Sequence, residues 1–379
     1  MSIRGSSTAV KAVRLHGNKS LKIDYLSPSM AAPPLKEGQV RLAPAWCGIC
    51  DTDLNEFVNG PLHIPLPANP HPISGESLPM TLGHEFSATV TEVHPSVSQL
   101  RVGSRVAVEP DIGDGTCHMC LLSRPNNCEA FGCMGLTSTG GMTESMVAPA
   151  KNCHLLPDNV PLSLGALIEP LSVAWNGIAA AGVKATDTVL VLGTGPIGMV
   201  SVLCLRAMGV ERILVSGRSP GRNERIKSFG LATVVSSTDD VVGKAKELFD
   251  GLGPHVVLDC VASQASFDVG WDAIRKHGTF YTYGQYYEPL SIDANRIFYN
   301  ALTIKGDLCY TPEVFPAVIA AIADGRIDKN ILDSLITARI AMEDVETQGF
   351  DQLINNKQRH IKIHVRINGD SDFSKASHL

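Results

Sequence analysis

The chain has 379 residues, which predicts two or three domains. Hydrophobic residues make up 44% of it, enough to bury a large core, so global disorder is excluded. With 32 lysines and arginines against 38 aspartates and glutamates, the net charge is −6, and no basic block is present, which excludes nucleic acid as the main partner. The N-terminal residues contain no apolar stretch of the kind that directs secretion, so we expect a protein that is not secreted.

Short strand-like runs separated by glycine and proline dominate the first half of the chain, which predicts a β-rich, barrel-like unit. These runs are VKAVRLHG, GQVRLAPAW, EFSATVTEV and SRVAVEP. From about Glu169 the pattern changes to alternating strands and helices, which predicts a parallel sheet with crossover helices. After about Tyr310 come a helical segment and a closing strand, HIKIHVRI, and the last dozen residues show no periodicity.

A glycine-rich turn lies between an apolar run at 189–192 and an apolar helical pattern. It reads Gly193-Thr-Gly195-Pro196-Ile197-Gly198. This spacing between a strand and a helix is typical of dinucleotide sites, where the glycines allow a tight turn, close approach of the pyrophosphate and close helix packing. The helix N-terminus supplies N–H donors to the phosphates. Because the turn interrupts the apolar stretch 188–205, we expect no membrane span there.

The second strand of the predicted sheet, Ile213–Ser216, ends where NAD enzymes place an acidic residue that binds the ribose 2′-hydroxyl. This chain has Gly217 there, followed by Arg218 and, further on, Arg222. No carboxylate repels a 2′-phosphate, and two guanidinium groups are available to pair with it, so NADP(H) is the predicted cofactor and NAD(H) the alternative. The other interpretation of the arginines is a solvated basic loop.

Several motifs carry a resemblance to one family. The sequence AWCGICDTDLNE at 45–56, followed by Gly83-His84-Glu85, resembles the zinc-dependent medium-chain dehydrogenase/reductase family. The stretch 60–76, the sequence IEP at 168–170, and the segment from ITARI to IKIHV resemble its butanediol and polyol dehydrogenase branch. The resemblance covers the chain from about residue 10 to about residue 366.

The resemblance implies an α/β fold with two domains. One is a GroES-like, β-rich catalytic domain formed by residues 1–170 and 312–379. The other is a Rossmann domain with a doubly wound parallel sheet, formed by residues 171–311. It also implies a homodimer or a homotetramer.

Ten cysteines without a secretion signal favour metal binding or catalysis over disulfides. A catalytic zinc needs about three protein ligands and an open position. The resemblance implies a thiolate from Cys50, an imidazole from His84 and a carboxylate from Glu85 or Glu169, with Cys47 as the competing thiol. His84 and Glu85 would point apart in a regular strand, which requires either a bent backbone or Glu169 as the third ligand.

The resemblance implies two further roles near Cys50. Asp53 accepts a hydrogen bond from the histidine ligand and fixes its tautomer, the alternative being an ordinary turn carboxylate. Thr52 relays the proton of the alcohol. The family often has a histidine at the outer end of that relay, where this chain has Asn55, whose amide accepts no proton at neutral pH. The relay then ends on water, on Asp51 or on Glu56, or is less effective.

A second cluster has zinc-type spacing. It consists of Asp114, Cys117, Cys120 and Cys128. The family holds a structural zinc with four cysteines at this spacing, and Asp114 replaces the first. Oxygen is an acceptable zinc ligand, so we expect a site of one aspartate and three cysteines that binds more weakly than four thiolates. Cys133 is a substitute fourth ligand, and an empty lobe is the remaining alternative.

These features together predict a zinc-dependent dehydrogenase that moves a hydride between NADP(H) and a secondary alcohol and its ketone, with a vicinal diol, acyloin or polyol as substrate. One alternative is a zinc-free enoyl reductase of the same fold, although such relatives lack the Cys50, His84 and Glu169 set. A second is a specialised biosynthetic dehydrogenase on a larger substrate, and a third is a non-catalytic protein on the same scaffold.

The chain ends in Ser377-His378-Leu379, which resembles the C-terminal peroxisomal signal S-K-L. Histidine replaces lysine as the basic middle residue. The sequence therefore predicts a peroxisomal enzyme if the tripeptide is a targeting signal, and a cytoplasmic enzyme if it is not.

Overall fold

The computed structural model describes residues 9–27, 30 and 33–370. The C-terminal tripeptide 377–379 lies outside them. The described residues form two compact units, one made of the residues up to Glu169 together with those from Ile336 onward, and the other of Pro170–Leu335. Within the described ranges, no helix combines the length and the apolar character that a membrane crossing requires.

The first unit is built on three sheets. Its strands are β1 (Val10–Leu15), β2 (Leu21–Leu26), β3 (Gln39–Gly48), β4 (Met80–Thr81), β5 (Glu85–Val93), β6 (Arg105–Val108), β7 (Asp111–Ile112), β8 (Gly132–Cys133), β9 (Met146–Pro149), β10 (Cys153–Leu155), β17 (Ile336–Ala341) and β18 (Lys362–Arg366). The largest sheet has the order β10-β6-β5-β3-β18-β17, with β9 paired to β3, and smaller sheets have the orders β2-β1-β4 and β7-β8.

Short helices connect these strands. They are α1 (Asp51–Asn59), α2 (His118–Leu121), α3 (Leu162–Gly165) and α12 (Asp351–Asn355), with a π-helix at Val345–Phe350 and 3₁₀ turns at Pro125–Asn127, Ala150–Asn152 and Met342–Asp344. Alternate residues of the central strands, such as Leu42 and Phe86, form a single core with Ile363 of the closing strand. The start of β5 lies beside the end of β3, because Glu85 pairs with Gly48.

The second unit contains one six-stranded sheet in which every pair is parallel. Its strands are β11 (Thr188–Leu192), β12 (Arg212–Gly217), β13 (Thr233–Ser236), β14 (Val256–Asp259), β15 (Thr279–Thr282) and β16 (Thr303–Gly306), in the order β13-β12-β11-β14-β15-β16. The order reverses between β11 and β14, which is the arrangement of a doubly wound dinucleotide-binding sheet. The predicted fold class is confirmed.

One helix precedes the first strand of this sheet, and the others follow its strands. They are α4 (Ile168–Ala181), α5 (Pro196–Ala207), α6 (Pro220–Phe229), α7 (Val241–Leu248), α8 (Gln264–Ala273), α9 (Ala294–Asn300), α10 (Val314–Ala323) and α11 (Lys329–Ser334). Their starts are set locally: the Asp240 and Asp328 side chains, for example, accept backbone N–H groups of the first turns of α7 and α11.

Residues 312–335, which follow the predicted boundary at 311/312, belong to the second unit. The physical reason is packing at both ends of this segment. The Tyr310 ring lies 5.0 Å from the ring of Phe315, at the start of the strongly apolar α10. At the other end, the Arg225 guanidinium donates to the carbonyl oxygen of Ser334 at 2.7 Å.

Candidate catalytic centre and cofactor site

Cys50 immediately precedes α1. Its backbone N–H donates to Oδ2 of Asp53 at 2.9 Å, so the buried Asp53 fixes the first turn of the helix and with it the thiol. The Thr52 hydroxyl lies 3.7 Å from the Cys50 sulfur. All three residues therefore face one region through the geometry of a single helix N-terminus.

His84 and Glu85 enter the same region through a bend just before β5. Gly83 has φ of +98°, and a Cβ at that position would come 2.5 Å from the sulfur of Cys47. As a result, one ligand atom each from Cys50, His84 and Glu85 lie within 4.8 Å of one another. The bent backbone resolves the difficulty that sequence neighbours point apart in a regular strand. Cys47 is buried outside this triplet, and its sulfur donates to its neighbour's carbonyl, that of Gly48.

The buried atoms of this triplet fit a bound cation. Among the residues that the structure describes, two atoms of the triplet, His84 Nδ1 and Glu85 Oε2, are buried and have no hydrogen-bond partner, and the buried Oδ1 of the neighbouring Asp53 has none either. His84 Nδ1 and Asp53 Oδ1 are 3.7 Å apart, so the carboxylate faces the ring nitrogen at a distance longer than a hydrogen bond. Burial raises the pKa of Cys50, and the Glu85 carboxylate adds to that effect, so a thiolate here requires a cation beside it. Sulfur, nitrogen and oxygen donors together suit zinc.

Lys362 is a member of this site that the sequence analysis missed. Its ammonium group forms an ion pair with Oε1 of Glu85, and both side chains are almost completely buried. It also donates to the carbonyl oxygen of Ile49 at 3.4 Å. Gly48 leaves room for Glu85, because a Cβ at that position would overlap the carboxylate. The available sequence signal was a lysine between two isoleucines, Ile361 and Ile363, at the start of the closing strand.

Glu169 is buried near the triplet but is not part of it. Burial raises the pKa of the Glu169 carboxyl to about 8. The geometry therefore favours Glu85 over Glu169 as the third ligand.

The two suggested ends of the proton relay have other contacts. The Glu56 carboxylate is buried and accepts the backbone N–H groups of Leu62 and His63, at 3.0 and 2.6 Å. The exposed Asp51 lies 3.6 Å from the ammonium group of Lys357.

The second cluster also converges, since Asp114, Cys117, Cys120 and Cys128 place ligand atoms within 4.8 Å of one another. Asp114 Oδ1 accepts the N–H groups of Thr116 and Cys117, and these bonds lower the pKa of its carboxyl. Cys133 lies apart from the cluster, in β8, where it is buried and donates to the carbonyl of its neighbour.

In the second unit, the glycine-rich turn connects β11 to α5 at the carboxyl end of the sheet. Gly193 has φ of +107°, Gly195 precedes α5, and Pro196 and Ile197 open that helix. A Cβ on Gly198 would overlap the carbonyl oxygen of Gly193, so the helix packs against the turn only with glycine there. These are the positions that a dinucleotide fingerprint requires.

The end of β12 has no space for a side chain. The strand runs through the buried Ser216 to Gly217, where a Cβ would overlap Thr194 and Asn223. Arg218 is exposed, and Arg222 is half-buried in the first turn of α6. Both arginines follow Gly217, the position at which NAD enzymes carry an acidic residue.

Comparison with known proteins agrees with this geometry. Residues 36–158 match the model of the alcohol dehydrogenase GroES-like domain, and residues 196–324 match that of the zinc-binding dehydrogenases. The chain is 33% identical to (R,R)-butanediol dehydrogenase of Neisseria gonorrhoeae over 366 residues, covering 95% of this chain and 100% of the relative. The chain belongs to the zinc-dependent medium-chain dehydrogenase/reductase family.

Two further relatives agree with this assignment. Sorbitol dehydrogenase of Macaca fascicularis is 31% identical over 337 residues, covering 87% of this chain and 88% of the relative. The crystal structure of 2R,3R-butanediol dehydrogenase from Bacillus subtilis superposes with a TM-score of 0.86 at 32% identity, covering 95% and 100% of the two chains. This medium-chain dehydrogenase is thus an oxidoreductase of the butanediol- and polyol-dehydrogenase-like branch, and its family implies zinc and a nicotinamide cofactor.

Proposed function

We propose that this dehydrogenase interconverts a secondary alcohol of a vicinal diol or polyol and the corresponding ketone or acyloin, using NADP(H). The observation that carries the proposal is the convergence of Cys50, His84 and Glu85 around unpartnered buried polar atoms, in a chain whose relatives act on such substrates by name. The nicotinamide, when bound, would supply the hydride chemistry, and the protein would position it against the alcohol carbon.

The residues have separate roles in this proposal. Cys50, His84 and Glu85 hold zinc, with Glu169 as the alternative carboxylate, and Asp53 orients the ring of His84. Zinc, when bound, supplies Lewis acidity toward the alcohol or carbonyl oxygen. The Thr52 hydroxyl receives the alcohol proton, and the proton leaves through water, because Asn55 is not basic and Glu56 binds backbone N–H groups.

The preference for NADP(H) rests on charge and space at the end of β12. Gly217 admits no carboxylate, whereas Arg218 and Arg222 carry guanidinium groups that pair well with a 2′-phosphate. The other residues of the proposed dinucleotide site lie in the glycine-rich turn and at the end of β12. They are Gly193, Gly195, Pro196, Ile197, Gly198 and Ser216.

A second zinc is proposed for the lobe of Asp114, Cys117, Cys120 and Cys128. The Cys117 and Cys128 sulfurs are 3.8 Å apart, and the Asp114 carboxylate is ionised, so the lobe presents a suitable set of donors.

We further propose a homo-oligomer, with a dimer as its smallest form. Strand β16 is an edge of the parallel sheet, its four residues are exposed, and the neighbouring Phe298 and Tyr299 are 81% and 74% exposed. An exposed strand edge with aromatic neighbours favours pairing with a second copy. Sedimentation of the purified protein tests this, and a monomer at micromolar concentration would reject it.

For the location, a cytoplasmic or a peroxisomal enzyme remains the proposal. A fluorescent protein fused ahead of residues 368–379 gives a punctate signal in a peroxisome-containing host if the terminal tripeptide is an address. Removal of Leu379 then abolishes that pattern, whereas a diffuse signal from the intact tail assigns the enzyme to the cytoplasm.

The reaction is tested by incubating the purified enzyme with vicinal diols, polyols and acyloins, each with both cofactors, alongside zinc analysis. We expect reduction of NADP⁺ by at least one diol or polyol in the zinc-loaded protein. Zinc-independent reduction of an activated alkene, without turnover of any alcohol, would instead identify an enoyl reductase.

A further inference from the structure

Asn223 occupies the space beside Gly217 in which a side chain at the end of β12 would stand. A Cβ built on Gly217 would overlap Oδ1 of Asn223 and the side chain of Thr194. Both neighbours are buried, so neither swings away into solvent to admit a larger residue. An aspartate or glutamate at residue 217, the usual partner of the ribose, is therefore excluded by packing.

The orientation of the Asn223 amide is fixed by its own hydrogen bond. Its Nδ2 donates to the carbonyl oxygen of Gly217 at 2.8 Å. Its backbone N–H donates to the carbonyl of Ser219 at 2.9 Å, within the first turn of α6. With the nitrogen engaged in this way, Oδ1 is the free end of the amide.

This free end is a buried acceptor with no partner. Asn223 is only 6% exposed, and within the described part of the chain its Oδ1 has no hydrogen-bond donor. A buried polar atom without a partner is unfavourable, and in native proteins such atoms point to a bound ligand or water. Whatever occupies this place, ligand or water, must present a hydrogen-bond donor.

The place itself restricts the ligand. Asn223 Oδ1 lies beside the carboxyl end of β12, the second strand of the doubly wound sheet, where a dinucleotide places its adenosine ribose. The donors of that ribose are its hydroxyl groups, and a 2′-phosphate offers none. When the 2′ position carries phosphate, the donor that remains is the 3′-hydroxyl.

We propose that Asn223 is a cofactor-binding residue whose Oδ1 accepts a hydrogen bond from the 3′-hydroxyl of the adenosine ribose. It replaces, from the first turn of α6, the acidic side chain that residue 217 has no room to carry. The inference rests on the proposed dinucleotide site but not on its preference for NADP(H), because NAD(H) has the same 3′-hydroxyl. Asn223 thus contributes affinity for both cofactors, and the flanking Arg218 contributes selectivity.

The test measures dissociation constants of NADP⁺, NAD⁺ and 3′-deoxy-NADP⁺ by calorimetry for the unmutated enzyme, Asn223→Ala and Arg218→Ala. We expect Asn223→Ala to weaken both natural cofactors by a similar factor, about tenfold. Arg218→Ala, the matched control, should weaken the two cofactors that carry a 2′-phosphate, NADP⁺ and 3′-deoxy-NADP⁺, and leave NAD⁺ unchanged. The 3′-deoxy cofactor should bind the unmutated enzyme about tenfold more weakly than NADP⁺ and should show no further loss with Asn223→Ala, since the hydrogen bond is already missing.

Equal binding of NADP⁺ and 3′-deoxy-NADP⁺ to the unmutated enzyme would overturn the proposal, and this comparison requires no variant to fold. A loss with Asn223→Ala that is as large for the 3′-deoxy cofactor as for NADP⁺ would also overturn it, since Asn223 would then act only by holding Gly217. If the unmutated enzyme prefers NAD⁺ but still discriminates against a missing 3′-hydroxyl, the NADP(H) preference fails and the role of Asn223 stands.

Discussion

At the scale of single residues, neighbouring side chains explain why Gly48 and Gly217 are glycines. Gly48 gives room to the Glu85 carboxylate, and Gly217 gives room to Thr194 and Asn223. The sequence shows that an acidic residue is missing at 217 but not why, because the neighbours that fill the space come from another turn and another helix. Steric reasons of this kind depend on tertiary packing and are not predictable from spacing.

The packing at Gly217 leads to the first prediction. Gly217→Asp, the exchange that would normally introduce NAD(H) specificity, should not do so here. Its Cβ overlaps buried neighbours, and overpacking of this kind destabilises a fold by about 1–3 kcal/mol. Thermal unfolding and the ratio of kcat/KM for the two cofactors measure both effects.

The control pair is Gly217→Ala and Gly221→Ala. A Cβ on Gly221 meets nothing within 4 Å, so only Gly217→Ala should lower Tm. A stable Gly217→Asp enzyme that prefers NAD(H) would contradict this account.

A second prediction concerns the buried pair of Lys362 and Glu85. Lys362→Met leaves the Glu85 carboxylate buried without its cation, which should cost about 3–5 kcal/mol of unfolding free energy in the metal-free protein. Lys362→Arg keeps the charge and should retain most of that stability. Urea unfolding of both variants in the presence of a chelator checks this, and a Lys362→Met protein as stable as the unmutated chain would show that the pair contributes nothing.

At the scale of elements, the catalytic triplet depends on how two strands and a helix end. The thiol stands before α1, whereas His84 and Glu85 stand at the start of β5, after the left-handed Gly83. The motifs predicted these residues. A regular strand, however, would point the side chains of His84 and Glu85 to opposite faces of the sheet. The bend at Gly83, where Cys47 leaves no room for a side chain, is a tertiary feature.

The lobe between β7 and β8 carries the third prediction. Helix α2 of this lobe has only four residues, and Oδ1 of Asp114 already accepts two backbone N–H groups. We therefore expect the fold of the lobe to depend largely on a bound metal. We expect two zincs per chain, with the lobe zinc lost first to a chelator, because one oxygen donor among three thiolates binds zinc less tightly. Asp114→Cys should slow that loss, and Asp114→Ala should speed it. Stopped-flow zinc release with a chromophoric chelator follows both. One zinc per chain in the freshly purified enzyme would mean that the lobe is empty.

At the scale of the whole molecule, the chain consists of two units that each have a hydrophobic core of their own. The sequence pattern changes from short strands to alternating strands and helices near Glu169, and the second unit begins at Pro170. The sequence pattern does not assign α10 to a unit, because its apolar residues look the same whichever core the helix packs against. Periodicity identifies a buried helix face but not the partner that buries it.

Two separate cores lead to the last prediction, that catalysis and cofactor binding are separable by mutation. The ligand triplet of Cys50, His84 and Glu85 belongs to the first unit, and the glycine-rich turn belongs to the second. Cys50→Ser and His84→Ala should therefore abolish alcohol oxidation and remove the catalytic zinc. The dissociation constant of NADP⁺ should stay within about twofold of the unmutated value, since the unit that carries the glycine-rich turn has a hydrophobic core of its own.

The matched control for that experiment is Cys47→Ser, which changes a buried thiol three residues away that lies outside the triplet. It should lower Tm through the loss of a well-packed apolar sulfur but keep zinc and activity. Zinc analysis, calorimetry with NADP⁺ and an alcohol-oxidation assay on the same preparations give the three readouts. If Cys47→Ser loses the zinc and Cys50→Ser keeps it, the first thiol of the CGIC motif is the ligand, and the geometry of α1 has a structural role only.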